Sequence, residues 1–212
     1  MLKKEGVFKM QKGTQPAWRL MTDAPIDLNF AIYVACSFDL ITDTLPFSRE
    51  QMWSAYCLEA LDVEEHKTLV EQWNQWWNDL VLDRAKLAHD SHQGRWSRHF
   101  APNGHFGDLE VPLRTRCGEV FQSFRDWWGH TAGGQQGVNY WIQLLGFHPI
   151  VNQVENEFGR TVRPFGLTVD FVYTGLANVV EVNSTYAIMS VHQPNLSVHN
   201  KEWWLAKVRE LA

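Results

Sequence analysis

The chain has 212 residues, a formal net charge of −5 and a pI near 6.0. Hydrophobic residues make up 45% and charged residues 20%, which excludes an intrinsically disordered chain. The acidic balance also argues against a general nucleic-acid binder, because such proteins usually carry clustered lysine and arginine. We expect one domain over residues 1–212, since a chain of this length buries a sizeable core without disulfides.

The start of the chain predicts no membrane or secretory segment. Residues 1–25 are polar and basic, with breaks at Pro16 and Pro25, and we expect a loose arm or an edge strand there. The longest apolar tract, residues 30–35, is far shorter than the ~20 residues that span a bilayer.

The three cysteines are widely separated and form no C-x-x-C pair, so neither a disulfide framework nor a zinc ribbon is predicted. We therefore expect a cytoplasmic protein.

The first half of the chain predicts one strand and one organising helix. The apolar run at residues 27–38 predicts a buried strand, although periodicity does not separate a strand from a short helix here. Residues 48–87 predict a long helix, or two helices joined near Asp62, which with Glu65 fits a capping box. Bulky apolar side chains recur along this stretch on one helical face, which the rest of the protein must cover. These side chains are Leu69, Trp73, Trp76, Trp77, Leu80, Val81 and Leu87.

The middle of the chain predicts a long loop followed by two helices. Residues 88–112 show no sustained period and contain several glycines and prolines. The spacing at residues 114–128 predicts an amphipathic helix, and residues 138–145 predict another apolar helix. We expect His148 and Pro149 to turn the chain.

The last part of the chain predicts a small sheet and a final helix. Residues 165–173 and 180–189 both alternate apolar and polar side chains, which predicts an antiparallel hairpin between the two runs. We expect Asp170 and Glu181 to face solvent. A last helix follows Asn200. The fold class predicted is α+β, a tryptophan-rich helical layer packed on a small antiparallel sheet that includes the C-terminal hairpin.

The strongest local anomaly lies in the predicted loop, where four of the nine histidines fall close to two aspartates. These residues are His89, Asp90, His92, His99, His105 and Asp108. Imidazole and carboxylate groups bind zinc or iron, and three such ligands with an open position form a hydrolytic or oxidative site. However, the spacing matches no known metal motif, and the neighbouring arginines oppose a cation. A solvated polar loop that pairs with the acidic helix is the stronger interpretation. Under the metal-site alternative, a divalent metal such as zinc is the candidate cofactor.

The arginines around the same loop suggest an anion site as a further alternative. Guanidinium groups clamp phosphate or carboxylate with paired hydrogen bonds, and a tryptophan among them stacks on a planar ligand. The residues are Arg95, Trp96, Arg98, Arg114 and Arg116.

Tryptophan is the outlier of the composition, with 11 residues. These rings either fill the core or form an aromatic pocket or partner surface. Residues 50–83 add a second candidate surface, because they hold eight acidic side chains against Lys67 alone.

No recognisable catalytic constellation accompanies these surfaces. We therefore expect non-enzymatic binding of a protein partner or a small ligand through the acidic helix or an aromatic surface, without nucleic acid or membrane. The alternatives are a metal-dependent hydrolase or oxygenase that uses residues 89–108, and an anion-binding module built on the arginines. The sequence does not decide whether the protein is an enzyme.

Overall fold

A computed structural model describes residues 18–41, 61–89, 97–100, 103–173, 176, 178–191 and 201–212. Within these ranges, six helices and four strands follow one another along the chain. They are β1 (Trp18–Asp23), α1 (Ile26–Ser37), α2 (Val63–His89), α3 (Val111–Gly129), α4 (Gly134–Gln143), α5 (Phe147–Phe158), β2 (Phe165–Val172), β3 (Val180–Asn183), β4 (Tyr186–Ser190) and α6 (Lys201–Leu211).

The four strands form one sheet in the order β1-β2-β4-β3. The helices pack on this sheet, and the antiparallel pair β3–β4 forms a C-terminal hairpin, so the predicted fold class is confirmed. The β1–β2 and β2–β4 pairs are parallel, so only the hairpin has the expected antiparallel direction. β1 lies at an edge of the sheet, as expected for the end of the N-terminal segment.

The predicted pairing of the hairpin is wrong. Residues 180–189 are two strands joined by a turn at residues 184–185, in which the Asn183 Oδ1 atom accepts a hydrogen bond from the Thr185 N–H at 2.9 Å. β2 is instead a central strand, and all its residues from Leu167 to Val172 are buried. An alternating pattern shows that a segment is a strand, but it carries no information about the partner or its direction.

The strand predicted at residues 27–38 is also wrong, because this run forms helix α1. Every residue of α1 from Asp27 to Ser37 is buried. A helix that is covered on all sides needs no polar face, so its sequence lacks the helical period. The Asn29 side chain ties α1 to the sheet, since its amide accepts from the Tyr173 N–H at 2.7 Å and donates to the Phe171 carbonyl at 3.2 Å.

Helix α2 begins at Val63, which confirms the helix start predicted from Asp62 and Glu65. The Asp62 Oδ1 atom accepts a hydrogen bond from the Glu65 N–H at 2.9 Å, which caps the first turn. The earlier part of the predicted helix, residues 48–60, lies outside the described residues. The apolar stripe packs inward, and two of its indole N–H groups donate to carbonyls, Trp73 to Ala31 at 2.8 Å and Trp76 to His99 at 2.9 Å.

The helices predicted at residues 114–128 and 138–145 are present as α3 and α4. The turn predicted at His148 and Pro149 is wrong, because both residues lie in the first turn of α5. Proline is tolerated there, since the first backbone N–H groups of a helix have no partner within it. In the described part of the chain, no helix is long and apolar enough to cross a membrane.

Candidate functional site

Much of the predicted metal loop lies outside the described residues, namely the side chain of His89 and all of Asp90, His92, Arg95 and Trp96. His105 and Asp108 are exposed, and the His99 Nε2 atom accepts a hydrogen bond from the Arg98 side chain at 3.1 Å. Among the described residues, no three histidine, cysteine, aspartate or glutamate side chains are placed to hold a metal ion. The metal site stays a prediction.

Two of the three described arginines of the predicted anion site lie near acidic side chains. Arg116 binds Glu65 of α2 at 2.7 Å and Glu119 at 3.0 Å, and the hydrogen bond to Glu65 raises the pKa of the guanidinium. The Arg98 Nε atom lies 3.6 Å from a carboxylate oxygen of Asp83, and Arg114 is exposed. An anion at Arg116 would compete with the carboxylates of Glu65 and Glu119. The contact with Glu65 favours the interpretation that Arg116 pairs with the acidic helix. The anion site itself remains untested.

A cluster of buried charges joins four elements at the carboxyl ends of β1 and β2. The Arg84 guanidinium on α2 donates to Asp170 of β2 at 2.8 Å and to Asp23 of β1 at 3.0 Å. The Tyr186 hydroxyl of β4 donates to the same Asp170 oxygen at 2.8 Å. The strand register places Asp23 and Asp170 side by side. The expectation that Asp170 faces solvent is therefore wrong.

Burial dominates the electrostatics of this cluster. Loss of water around Asp170 raises the pKa of its carboxyl to about 6, although Arg84 and Tyr186 act in the opposite direction. Burial also raises the pKa of Tyr186 well above its ordinary value. Asp27 of α1 is fully buried nearby and its pKa is raised by the same cause, although the Ser97 N–H donates to it at 2.9 Å. Three aspartates thus share the single cation Arg84 within the described part of this cluster.

The cavity beside the cluster is small. It has a volume of about 10 Å³, room for about one water molecule. The Oδ1 atom of Asp170 has no hydrogen-bond partner among the described residues. The lining residues are Met21, Asp23, Arg84, Leu87, Ala88, Thr168 and Asp170. Through the hydrogen bonds of Arg84, the cluster ties helix α2 to the sheet.

Helix α4 carries the second distinctive feature, an exposed apolar surface. The first residue of the helix, Gly134, lies against the Trp127 ring, so any side chain at this position would clash with the ring. Val138 of the same helix is fully buried. On the outer side, Tyr140 is 59% exposed, Trp141 44% and Leu144 58%. We call these three side chains the α4 face.

Trp141 departs from the other tryptophans of the chain. Of the nine that the structure describes, five are buried, three are half-buried, and Trp141 alone is exposed. The Trp141 and Tyr140 rings touch each other edge to face, with centroids 5.7 Å apart. Most described tryptophans therefore fill the core, whereas this one lies on an aromatic surface.

The stretch of sequence that contains the α4 face carries no formal charge. None of residues 127–154 is aspartate, glutamate, lysine or arginine, although such residues make up 20% of the chain. We did not identify this uncharged stretch from the sequence, although it can be read there directly. Tertiary structure was still needed to show which aromatic rings inside the stretch point outward.

No protein-family model, curated protein or solved structure matches this chain. The described residues offer two distinctive features: a buried charged cluster beside a small cavity, and an exposed aromatic face on a helix without charged residues.

Proposed function

We propose that this protein binds a protein partner through the α4 face. The observation that supports the proposal is the exposure of Trp141 and Tyr140 together on a helix without charged residues. The cores of protein interfaces are enriched in tryptophan and tyrosine and depleted of charge, whereas a solvated helix face is usually charged. An exposed aromatic pair of this kind is typical of the anchor residues of an interface.

The composition of the α4 face defines the chemistry of its partner. Gln136, Tyr140 and Leu144 follow at steps of four, so they form a band about 12 Å long on one side of the helix. Gln136 and Gln143 are exposed and supply uncharged hydrogen-bonding groups at its rim. A matching partner offers an uncharged apolar strip of similar length, such as one face of a helix.

The acidic helix has weaker support as the docking surface. Glu65 is already bound to Arg116, while Glu64 and Glu71 are exposed, as in an ordinary solvated face. A small ligand bound beside Asp170 also has less support, since the cavity there has room for about one water. Cys117 is a buried thiol, which suits the cytoplasmic setting of the proposal.

The test compares two variants that place the same charge at matched aromatic positions. Trp141→Glu changes the α4 face, and Phe158→Glu changes an aromatic residue of α5 that is 40% exposed. Tagged full-length chains are expressed in cells of the source organism, and the co-purifying proteins are quantified. We expect Trp141→Glu to reduce the bound partner by at least about tenfold, as for an interface hot spot, and Phe158→Glu to retain it.

Circular dichroism and thermal melting establish that both variants fold. A partner set that Trp141→Glu leaves unchanged, or that both variants lose equally, contradicts the proposal.

A further inference from the structure

We infer that one ordered water molecule binds in the cavity beside Asp170, where it donates a hydrogen bond to the Asp170 Oδ1 atom and contacts the Thr168 hydroxyl. This water site is separate from the α4 face and does not depend on the proposed function. The inference follows from the hydrogen bonds of the buried cluster and from the size and lining of the cavity.

The two oxygens of the Asp170 carboxylate have different surroundings. The Oδ2 atom accepts hydrogen bonds from the Arg84 side chain and from the Tyr186 hydroxyl, both at 2.8 Å. The Oδ1 atom is buried and has no hydrogen-bond partner among the described residues. A buried acceptor without a partner costs free energy, so most such atoms in folded proteins bond to a protein donor or to ordered water. The described side chains supply no donor to Oδ1, which leaves water as its partner.

The cavity supplies room for a water molecule and a second polar group. Its volume of about 10 Å³ is close to the space that one water needs. Thr168 and Asp170 both line it, because side chains two residues apart on β2 lie on the same face of the sheet. Thr168 is only 7% exposed, so little bulk solvent reaches its side chain. A cavity with polar groups in its wall holds water, whereas an apolar cavity of similar size stays dry.

Charge favours water over a metal ion at this position. The Arg84 guanidinium lies 2.8 Å from an oxygen of Asp170 and 3.0 Å from an oxygen of Asp23, so its positive charge repels a second cation. Within the described ranges, no three histidine, cysteine, aspartate or glutamate side chains are placed to hold a metal ion. A water molecule both donates and accepts, so it satisfies a carboxylate oxygen and a hydroxyl without adding charge.

A high-resolution crystal structure of the full wild-type chain tests the inference directly. We expect a peak of electron density about 2.8 Å from the Asp170 Oδ1 atom. A second crystal is soaked in rubidium chloride, whose cation has a strong anomalous signal, and we expect no anomalous peak in the cavity. A cavity without density, a rubidium peak, or an Oδ1 atom that accepts from a protein donor overturns the inference.

A pair of variants tests the contact with Thr168 in solution. Thr168→Val removes the hydroxyl but keeps the shape and the β-branched character of the side chain. We expect it to lower the folding equilibrium constant by about three- to tenfold, because the water loses one of its partners. The matched control is Thr161→Val at an exposed threonine, which should change this constant by less than about twofold. Urea denaturation measures both, and a Thr168→Val protein as stable as the wild type contradicts the contact.

Discussion

Arg84 is the residue on which the buried charge balance depends. It donates to Asp170 and Asp23, and it is itself only 6% exposed. Taking these groups out of water costs free energy, and their mutual attraction offsets that cost only while all partners are present. The cluster therefore fixes the position of α2 over β1 and β2 more than it adds net stability.

Asp170→Asn tests this balance. The pKa of Asp170 is about 6 in the folded protein, compared with an ordinary value of 3.8, so folding takes up a proton between these pH values. This group therefore contributes stability at low pH that is lost as the pH rises through that window. At neutral pH we expect the variant to be less stable by about 3 kcal/mol, because Arg84 loses one of its buried partners. The stability difference from wild type should be larger near pH 4.5 than near pH 7.

Urea denaturation at the two pH values measures both effects. Asp126→Asn, at an exposed carboxylate, is the control and should change the stability by less than about 0.5 kcal/mol. A difference between Asp170→Asn and wild type that shrinks as the pH falls would show that the assigned direction of the pKa is wrong.

The sequence predicted little of the buried charged cluster around Arg84. Asp170 alternates with apolar neighbours, and we interpreted its side as solvent-facing, but a central strand is buried on both faces. Its partner Arg84 lies 86 residues away, within a stretch rich in acids. A pair this distant leaves no local signal.

Individual helices and strands were predictable from the sequence where one of their faces is exposed to solvent. Helix α2 is partly exposed along its length, so its buried stripe alternates with polar residues and the 3.6-residue period is visible. Helix α1 has no exposed side, and the third residue of α5 is Pro149, which we interpreted as part of a turn. Burial on all sides and ambiguous turn residues therefore account for the two helices that the sequence did not predict.

The cap of α2 gives a test at the scale of the element. Asp62→Ala removes the acceptor of the Glu65 N–H, and we expect a loss of about 1 kcal/mol in the free energy of unfolding. Asp79→Ala, in the interior of α2, removes a carboxylate without removing a cap and should cost less than half as much. Urea denaturation of both variants provides the measurement, and equal losses would contradict the capping role.

The fold class of the whole molecule was predictable from the sequence, but the pairing of its strands was not. The counts and types of elements led to an α+β fold, since helices precede a late pair of alternating runs. The pairing of β1 with β2 joins residues 18–23 to residues 165–170, and nothing in either segment indicates the other. The proposed binding surface has the same limitation, because composition favoured both core and partner roles for tryptophan. Only the packing of α4 shows that Trp141 is exposed.

Photo-crosslinking from the α4 face tests whether a protein covers it. A benzophenone amino acid replaces Tyr140 in the full chain, or Phe158 in the control, and the cells of the source organism are irradiated. Both positions carry exposed aromatic rings, so the substitution is conservative at each. We predict an intermolecular adduct from position 140 at several times the control yield, with a mass greater than that of the chain. A yield at position 140 no higher than at position 158, or crosslinks confined to one chain, would contradict the claim.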